Sequence, residues 1–176
     1  MSNERVLIVE DDLSMVEDIQ HKLESAGFKV AGIATSLETA IQQAVETSPE
    51  LVLMDTILEG GSDGIEATRQ IKALFDIPIV YLTAYSDTET LRRFRVTAPA
   101  GFILKPLAEG ELEITMEMAL YKHAMEKKLQ ESEEKHRAVV ERANDSIVIL
   151  QDGIVRFSNP SFSDKIHKNL SGLQIW

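Results

Sequence analysis

Five short apolar runs alternate with amphipathic stretches through the first hundred or so residues, and this alternation constrains the fold more than any other feature. VLIV (residues 6–9), KVAGIA (29–34), LVLM (51–54), IPIVYLT (77–83) and GFILKP (101–106) are rich in Val, Ile and Leu and too short for helices, so they are expected to be strands. Residues 14–25, 37–47, 64–75 and 88–96 carry apolar side chains at three- and four-residue spacing, for example Ile65, Ala67 or Thr68, Ile71 and Phe75, and are expected to be helices. Ser36 and Asp87 are candidate N-caps and Gly27 a candidate stop. Strand and helix alternating five times implies right-handed crossovers and a parallel sheet covered on both faces. The expectation is a doubly wound α/β domain.

Composition narrows the function. The chain has 176 residues, 44% of them hydrophobic, enough for one ordinary domain plus a remnant. Its 18 basic and 29 acidic residues give a net charge of -11 with no basic patch, which argues against direct nucleic-acid binding and against anionic membrane surfaces. The absence of cysteine excludes disulfides and thiolate metal sites. MSNERVLIVEDD lacks the pattern of a signal peptide, and no apolar run approaches the ~18 residues of a membrane span, so a soluble, cytoplasmic protein is expected.

LVLMD ends an apolar run on a lone carboxylate, Asp55. An unpaired charge inside a packed core carries a large desolvation penalty, so Asp55 belongs at the end of the strand, facing solvent or a cation. In a doubly wound sheet, functional groups gather beyond the carboxyl ends of the strands. There the first strand supplies Glu10, Asp11 and Asp12, the third Asp55, the fourth Thr83 and the fifth Lys105 before Pro106. Several carboxylates at one edge repel unless a hard divalent cation neutralises them, and an all-oxygen donor set suits Mg²⁺. A lysine and a hydroxyl beside such an ion would cradle a phosphoryl group. Asp12 fits better as a helix N-terminal charge and is left out of the metal set.

VLIVEDD, LVLMDTILEGGSDGIEA, IVYLTAYSD and GFILKPL, in this order and spacing, closely resemble the receiver domain of two-component response regulators, from about Arg5 to Tyr121. The resemblance implies a flavodoxin-like five-stranded sheet of order 2-1-3-4-5. It further implies that Asp55 accepts a phosphoryl group from the phosphohistidine of a histidine kinase. Glu10, Asp11, Asp55 and the backbone carbonyl of Ile57 would hold Mg²⁺. Thr83 would hydrogen-bond the phosphoryl oxygens and Lys105 would pair with them. Phe102, half-buried in the core, would be a switch aromatic, and the Lys105-Pro106 bond would be cis. Such a domain is a phosphoacceptor signalling module rather than an enzyme in the usual sense. The added charge would bias the surface formed by the 88–96 helix, the fifth strand and the helix that follows it. Homodimerisation is expected through that surface or through the C-terminal helix.

Two positions bear on how long a phosphoryl group would last. Ile57 and Tyr85 lie two residues beyond Asp55 and Thr83, where many receivers place polar side chains that guide attacking water. Neither is a good general base, so slow hydrolysis is expected. The EGGSDG segment (residues 59–64) should form a glycine-rich loop close to the site. A Mg²⁺-dependent hydrolase of the haloacid-dehalogenase type is the principal rival reading. Such enzymes carry a second acid two residues after the nucleophile, and that position here is Ile57.

After Leu107 no proline occurs through residue 142, which predicts one long helix of ~30 residues or two stacked ones. Leu112, Met116, Ala119 and Leu120 can pack on the sheet. Met118, Met125, Leu129, Ser132, His136, Val139 and Ala143 form a weak heptad seam suited to a coiled coil or to a solvated connector. His136 lacks the acidic and proline neighbours of a kinase phosphoacceptor box, and His21, His123 and His167 read as surface residues. From Gln130 onward the chain resembles the opening of a PAS sensory domain, with SIVIL and IVRFSN joined by an Asp152-Gly153 turn. The expected organisation is a receiver over residues 1–121, a helical linker over 122–143 and an incomplete PAS part over 144–176. The chain is expected to be a piece of a longer protein, including the possibility of a receiver from a hybrid sensor kinase.

Overall fold

The computed structural model describes residues 3–58, 62–84, 97–108, 110–152, 154–163 and 165. The expected 88–96 helix, its cap Asp87, Tyr85, Gly60, Gly61 and His167 lie outside the described residues. The chain divides into two compact units, Met1–Ala124 and Met125–Trp176.

In the first unit the elements run β1 (Arg5–Val9), α1 (Leu13–Ser25), β2 (Lys29–Ala34), α2 (Leu37–Thr47), β3 (Leu51–Asp55), α3 (Gly64–Leu74), β4 (Ile79–Thr83) and β5 (Gly101–Leu104). The strands form one sheet of order β2-β1-β3-β4-β5. Every neighbouring pair is parallel. Two apolar layers follow from the strand alternation. Val6, Ile8, Leu51, Leu53, Val80, Leu82 and Ile103 face α1 through Val16, Ile19 and Leu23, and meet Leu112 and Met116 of the C-terminal helix. Leu7, Val9, Val52, Met54, Ile79 and Tyr81 face α2 and α3 through Ala40, Ala44, Ile65, Ala67 and Ile71. Each helix therefore buries one stripe, and each strand is apolar on both sides.

The helix starts are set by side-chain caps. Asp12 accepts from the backbone N–H groups of Ser14 and Met15 at the start of α1. Ser36 and Thr39 form a reciprocal capping box on α2. Asp63 caps α3 through the N–H of Ile65 at 2.9 Å. The segment expected as a plain loop before α3 instead contains a short antiparallel ladder, Ile57–Leu58 with Ser62–Asp63. The alternation signal is too short over two residues to reveal it.

Thr68 is fully buried on α3, and its hydroxyl has no hydrogen-bond partner among the described residues. A buried unsatisfied hydroxyl costs about 1–3 kcal/mol, while valine keeps the shape without the polar atom. Thr68→Val is therefore expected to stabilise the protein by about 1 kcal/mol, read as a higher urea midpoint at unchanged slope. A midpoint that stays put or falls would mean that the hydroxyl has a partner after all.

A single helix, α4 (Glu111–Glu141, 31 residues), follows the first unit's sheet, which resolves the choice between one helix and two. Its buried residues are Leu112, Met116 and Ala119, all near its start. In the second unit, β6 (Val148–Gln151) and β7 (Ile154–Ser158) pair as an antiparallel hairpin, with Asp152 in the left-handed conformation at the turn (φ 53°). Asn159 is fully buried after the hairpin. Its Nδ2 donates to the carbonyls of Asp145 at 2.9 Å and Val140 at 3.2 Å, and its Oδ1 accepts from the N–H of Ile147 at 2.9 Å and of Phe162 at 3.2 Å. One side chain thus satisfies a carbonyl in the last turn of α4 and holds the start of the hairpin.

Candidate functional site

Strand alternation carries three charged groups to one place. Glu10 follows Val6 and Ile8, Asp55 follows Leu51 and Leu53, and Lys105 follows Ile103, so each continues a row that belongs to the α1 side of the sheet. Beyond the carboxyl edge these rows converge. Lys105 Nζ donates to Glu10 Oε2 at 2.6 Å and to Asp55 Oδ2 at 2.8 Å. The three side chains are 18%, 1% and 10% exposed, so the contacts form in a largely desolvated setting where charge pairing is strong.

The protonation chemistry reflects an excess of carboxylate. Burial pushes the Glu10 carboxyl above its usual range, the hydrogen bond from Lys105 pulls it back, and repulsion from Asp55 adds to the rise. For Lys105, burial favours the neutral amine, yet hydrogen bonds and attraction from Asp55 and Glu10 outweigh it and hold the ammonium above the ordinary lysine value. Lysine therefore stays charged.

Glu10, Asp11 and Asp55 each offer a carboxylate oxygen, and these oxygens lie within 4.8 Å of one another. Asp11 is the accessible member of the three. The donor set is all oxygen, with a solvent-facing side, and it fits a hard divalent cation that keeps part of its water shell. Asp12 stands apart as the α1 cap, with its carboxyl held low by hydrogen bonds from Ser14. Asp55 Oδ1 also accepts from the N–H of Ile57 at 3.2 Å, which fixes the turn after β3. The Ile57 side chain is 52% exposed at the rim.

Other expected residues fall into place to differing degrees. Thr83 is buried at the end of β4, and its carbonyl accepts from the N–H of Lys105 at 2.8 Å. The Lys105-Pro106 bond is cis. Phe102 is 50% exposed, half-buried as expected, but it lies outside both core layers, because it pairs with Tyr81 on an edge strand while its neighbour Ile103 takes the buried side. His123, expected as a plain surface residue, hydrogen-bonds the Asp76 carbonyl at 3.1 Å. Gly64, which the sequence reading placed in the glycine-rich EGGSDG segment close to the site, is the first residue of α3. A Cβ there would lie 1.8 Å from the Asp55 carbonyl oxygen, so the helix can start against the phosphoacceptor candidate's backbone only because this residue is glycine. A glycine beside a cap such as Asp63 was the available signal.

Among the described residues no helix is long and apolar enough to cross a membrane. Transcriptional regulatory protein ZraR of Escherichia coli (strain K12) is 37% identical over 116 residues, which cover 65% of this chain and 26% of ZraR. The chain spans about a quarter to just over half of the length of the curated relatives it matches. The crystal structure of the signal receiver domain of a modulated diguanylate cyclase from Desulfovibrio desulfuricans G20 superimposes with a TM-score of 0.66 at 34% identity, covering 71% of this chain and 99% of that one. The N-terminal domain of a response regulator/sensory box/GGDEF 3-domain protein from Carboxydothermus hydrogenoformans gives a TM-score of 0.63 at 30% identity, over 70% of this chain and 98% of that one. The model of the response regulator receiver domain matches residues 6–117, and over this stretch, more than half its length, the chain belongs to the response regulator receiver domain family.

Proposed function

We propose that the protein is a two-component signalling component in which Asp55 accepts a phosphoryl group, in a Mg²⁺-dependent step, from the phosphohistidine of a histidine kinase. The N–P bond of the donor breaks as an O–P bond forms to an Asp55 carboxylate oxygen, and the histidine regains a proton from water. The observation that carries this reading is the Lys105 ammonium bridging Glu10 and Asp55 in a pocket whose carboxylates outnumber its cations. Glu10, Asp11, Asp55 and the Ile57 carbonyl would hold Mg²⁺, whose charge would offset that of the incoming phosphoryl oxygens. Lys105 would turn from the carboxylate to the phosphoryl group, and the Thr83 hydroxyl would take another of its oxygens. Differential contacts of this kind are what bias a two-state surface. Phe102, which is half-exposed, would turn inward in response.

The output would pass along α4 to a PAS-type sensory module that begins with the hairpin. Support for this order of modules comes from the buried Asn159 joining helix and hairpin, and from the likeness to the receiver of a response regulator/sensory box/GGDEF protein. Ile57 at the rim offers attacking water no base, which favours a long-lived acyl phosphate.

Incubation with acetyl phosphate and Mg²⁺ tests the reading. The expected result is close to one phosphate per chain, seen as a single mass addition that is absent in Asp55→Asn and absent when Mg²⁺ is chelated. Release of many equivalents of phosphate per chain would instead support a hydrolase, and no incorporation would reject the proposal.

A further inference from the structure

We propose that α3 is a lever that joins the Asp55 backbone to the first part of α4, with Gly64 at its input end and Lys72 and Asp76 at its output end. The inference rests on the proposed phosphoacceptor role of Asp55, and it adds a path that uses neither Thr83 nor Phe102.

At the input end, backbone meets backbone. The N–H of Gly64 donates to the Thr56 carbonyl at 3.2 Å, and a Cβ on Gly64 would lie 1.8 Å from the Asp55 carbonyl oxygen. No side chain stands between them to absorb a shift of Asp55, and a close-packed interior transmits displacement rather than damping it. The 11 residues of α3 form a rod of about 16 Å, so movement imposed on the first turn arrives at the last.

At the output end, two groups grip other parts of the chain. Lys72 Nζ donates to the carbonyls of Thr97 at 2.8 Å and Ala98 at 2.6 Å. Ala98 is left-handed, with φ 43°, a conformation that a Cβ disfavours, and the ammonium holds it there through charge-assisted hydrogen bonds. The Thr97 and Tyr81 hydroxyls share a buried hydrogen bond of 2.9 Å, which fastens the same turn to β4. Asp76, just past the end of α3, supplies the second grip. Its carbonyl accepts from His123 Nε2 at 3.1 Å, and its Oδ2 lies 3.8 Å from the same nitrogen. Because α3 packs on one face of the sheet and the start of α4 on the other, this contact carries from face to face. Closing α3 requires neither group, since the N–H of Phe75 already caps it on the Ile71 carbonyl at 2.9 Å. Lys72 and Asp76 thus serve contacts outside their own helix.

These grips belong to the arrangement in which Lys105 holds the unmodified Asp55. Linkage then requires that weakening them favours the modified arrangement, and that modification at Asp55 is felt at His123. Beryllium fluoride with Mg²⁺, added to the full chain, is the probe for the phosphoryl group. Saturation should shift the ring signal of His123 in the NMR spectrum, identified by its loss in His123→Gln. Lys72→Met and His123→Gln should each tighten beryllium fluoride binding by about 5-fold or more. Arg69→Ala removes a pair with Glu66 on the exposed side of the same helix and should leave the affinity unchanged. A His123 signal that stays put at saturation overturns the lever and leaves the phosphoacceptor reading standing, whereas failure of beryllium fluoride to bind overturns both. Affinity that is unchanged or weakened in His123→Gln and Lys72→Met, or tightened to the same extent in Arg69→Ala, overturns the lever as well.

Discussion

Gly64→Ala is expected to destabilise the first unit by about 3–5 kcal/mol, equivalent to a fall of about 10 °C or more in the unfolding midpoint. The added Cβ would sit 1.8 Å from the Asp55 carbonyl oxygen, 3.0 Å from the Asp55 carbonyl carbon and 3.2 Å from the Thr56 Cα. All three are backbone atoms, so no side chain can swing aside. The N–H of Gly64 also donates to the Thr56 carbonyl at 3.2 Å, a contact that any retreat of α3 would break. Displacement of Asp55 follows from relief of the clash, and misplacement of a reacting group by about 1 Å can cost roughly 100-fold in rate. Phosphorylation by acetyl phosphate should therefore slow even in the fraction that remains folded. Gly110→Ala serves as the control: Gly110 has a positive φ of 77° but nothing within 4 Å, so only local backbone strain of about 1 kcal/mol is expected. Equal effects from the two substitutions would remove the steric explanation.

Lys105→Met is the second large effect. Lys105 is the ammonium shared by Glu10 and Asp55, and its loss leaves two buried carboxylates facing each other. Removing one partner of a buried ion pair costs about 3–5 kcal/mol, so a loss of that size is expected at pH 7 without divalent cation. The sign of the pH dependence is set by Glu10, which burial already holds above the usual carboxylate range. A carboxyl whose folded pKa is raised contributes stability below its unfolded value and loses it as pH rises through the folded value. Without the opposing ammonium the Glu10 carboxyl rises further, so the deficit of Lys105→Met should be small near pH 4.5 and grow through the neutral range. Wild-type Lys105, held above the ordinary lysine value, should stabilise the protein throughout the neutral range and lose its contribution only at alkaline pH above that value. Urea midpoints measured from pH 4.5 to 8 check the first statement. A pH-independent deficit would mean that the carboxylates do not repel in the folded state. Mg²⁺ should recover more stability in the variant than in the wild type, because it replaces a missing positive charge.

Legibility in the sequence followed how local each signal was. The strand runs at 29–34 and 51–54 and the α2 boundaries were readable because Val, Ile and Leu clusters are bounded by caps such as Ser36. Glu10, Asp55 and Lys105 were readable as one site because each lies at the end of an apolar run, and parallel strands bring those ends to one edge. The pairing itself, one ammonium between two carboxylates, depends on the parity of three strands and emerges only when they are laid side by side. Phe102 is half-buried as read but not in the core, because an apolar residue on an edge strand can face either way and Ile103 took the core side. Gly64 was legible as one of three glycines near the site, but what it makes room for, a carbonyl nine residues earlier in the chain, is a contact no local pattern encodes. The Ile57–Leu58 ladder escaped for want of length.

The Asn159 side chain holds the last turn of α4 and the root of the hairpin with the same amide. The amide is planar and rigid, so a twist applied to that turn bears on the root of the hairpin through the two ends of one group. The end of the helix and the root of the hairpin behave as a shaft keyed to its wheel, and the key is a single residue.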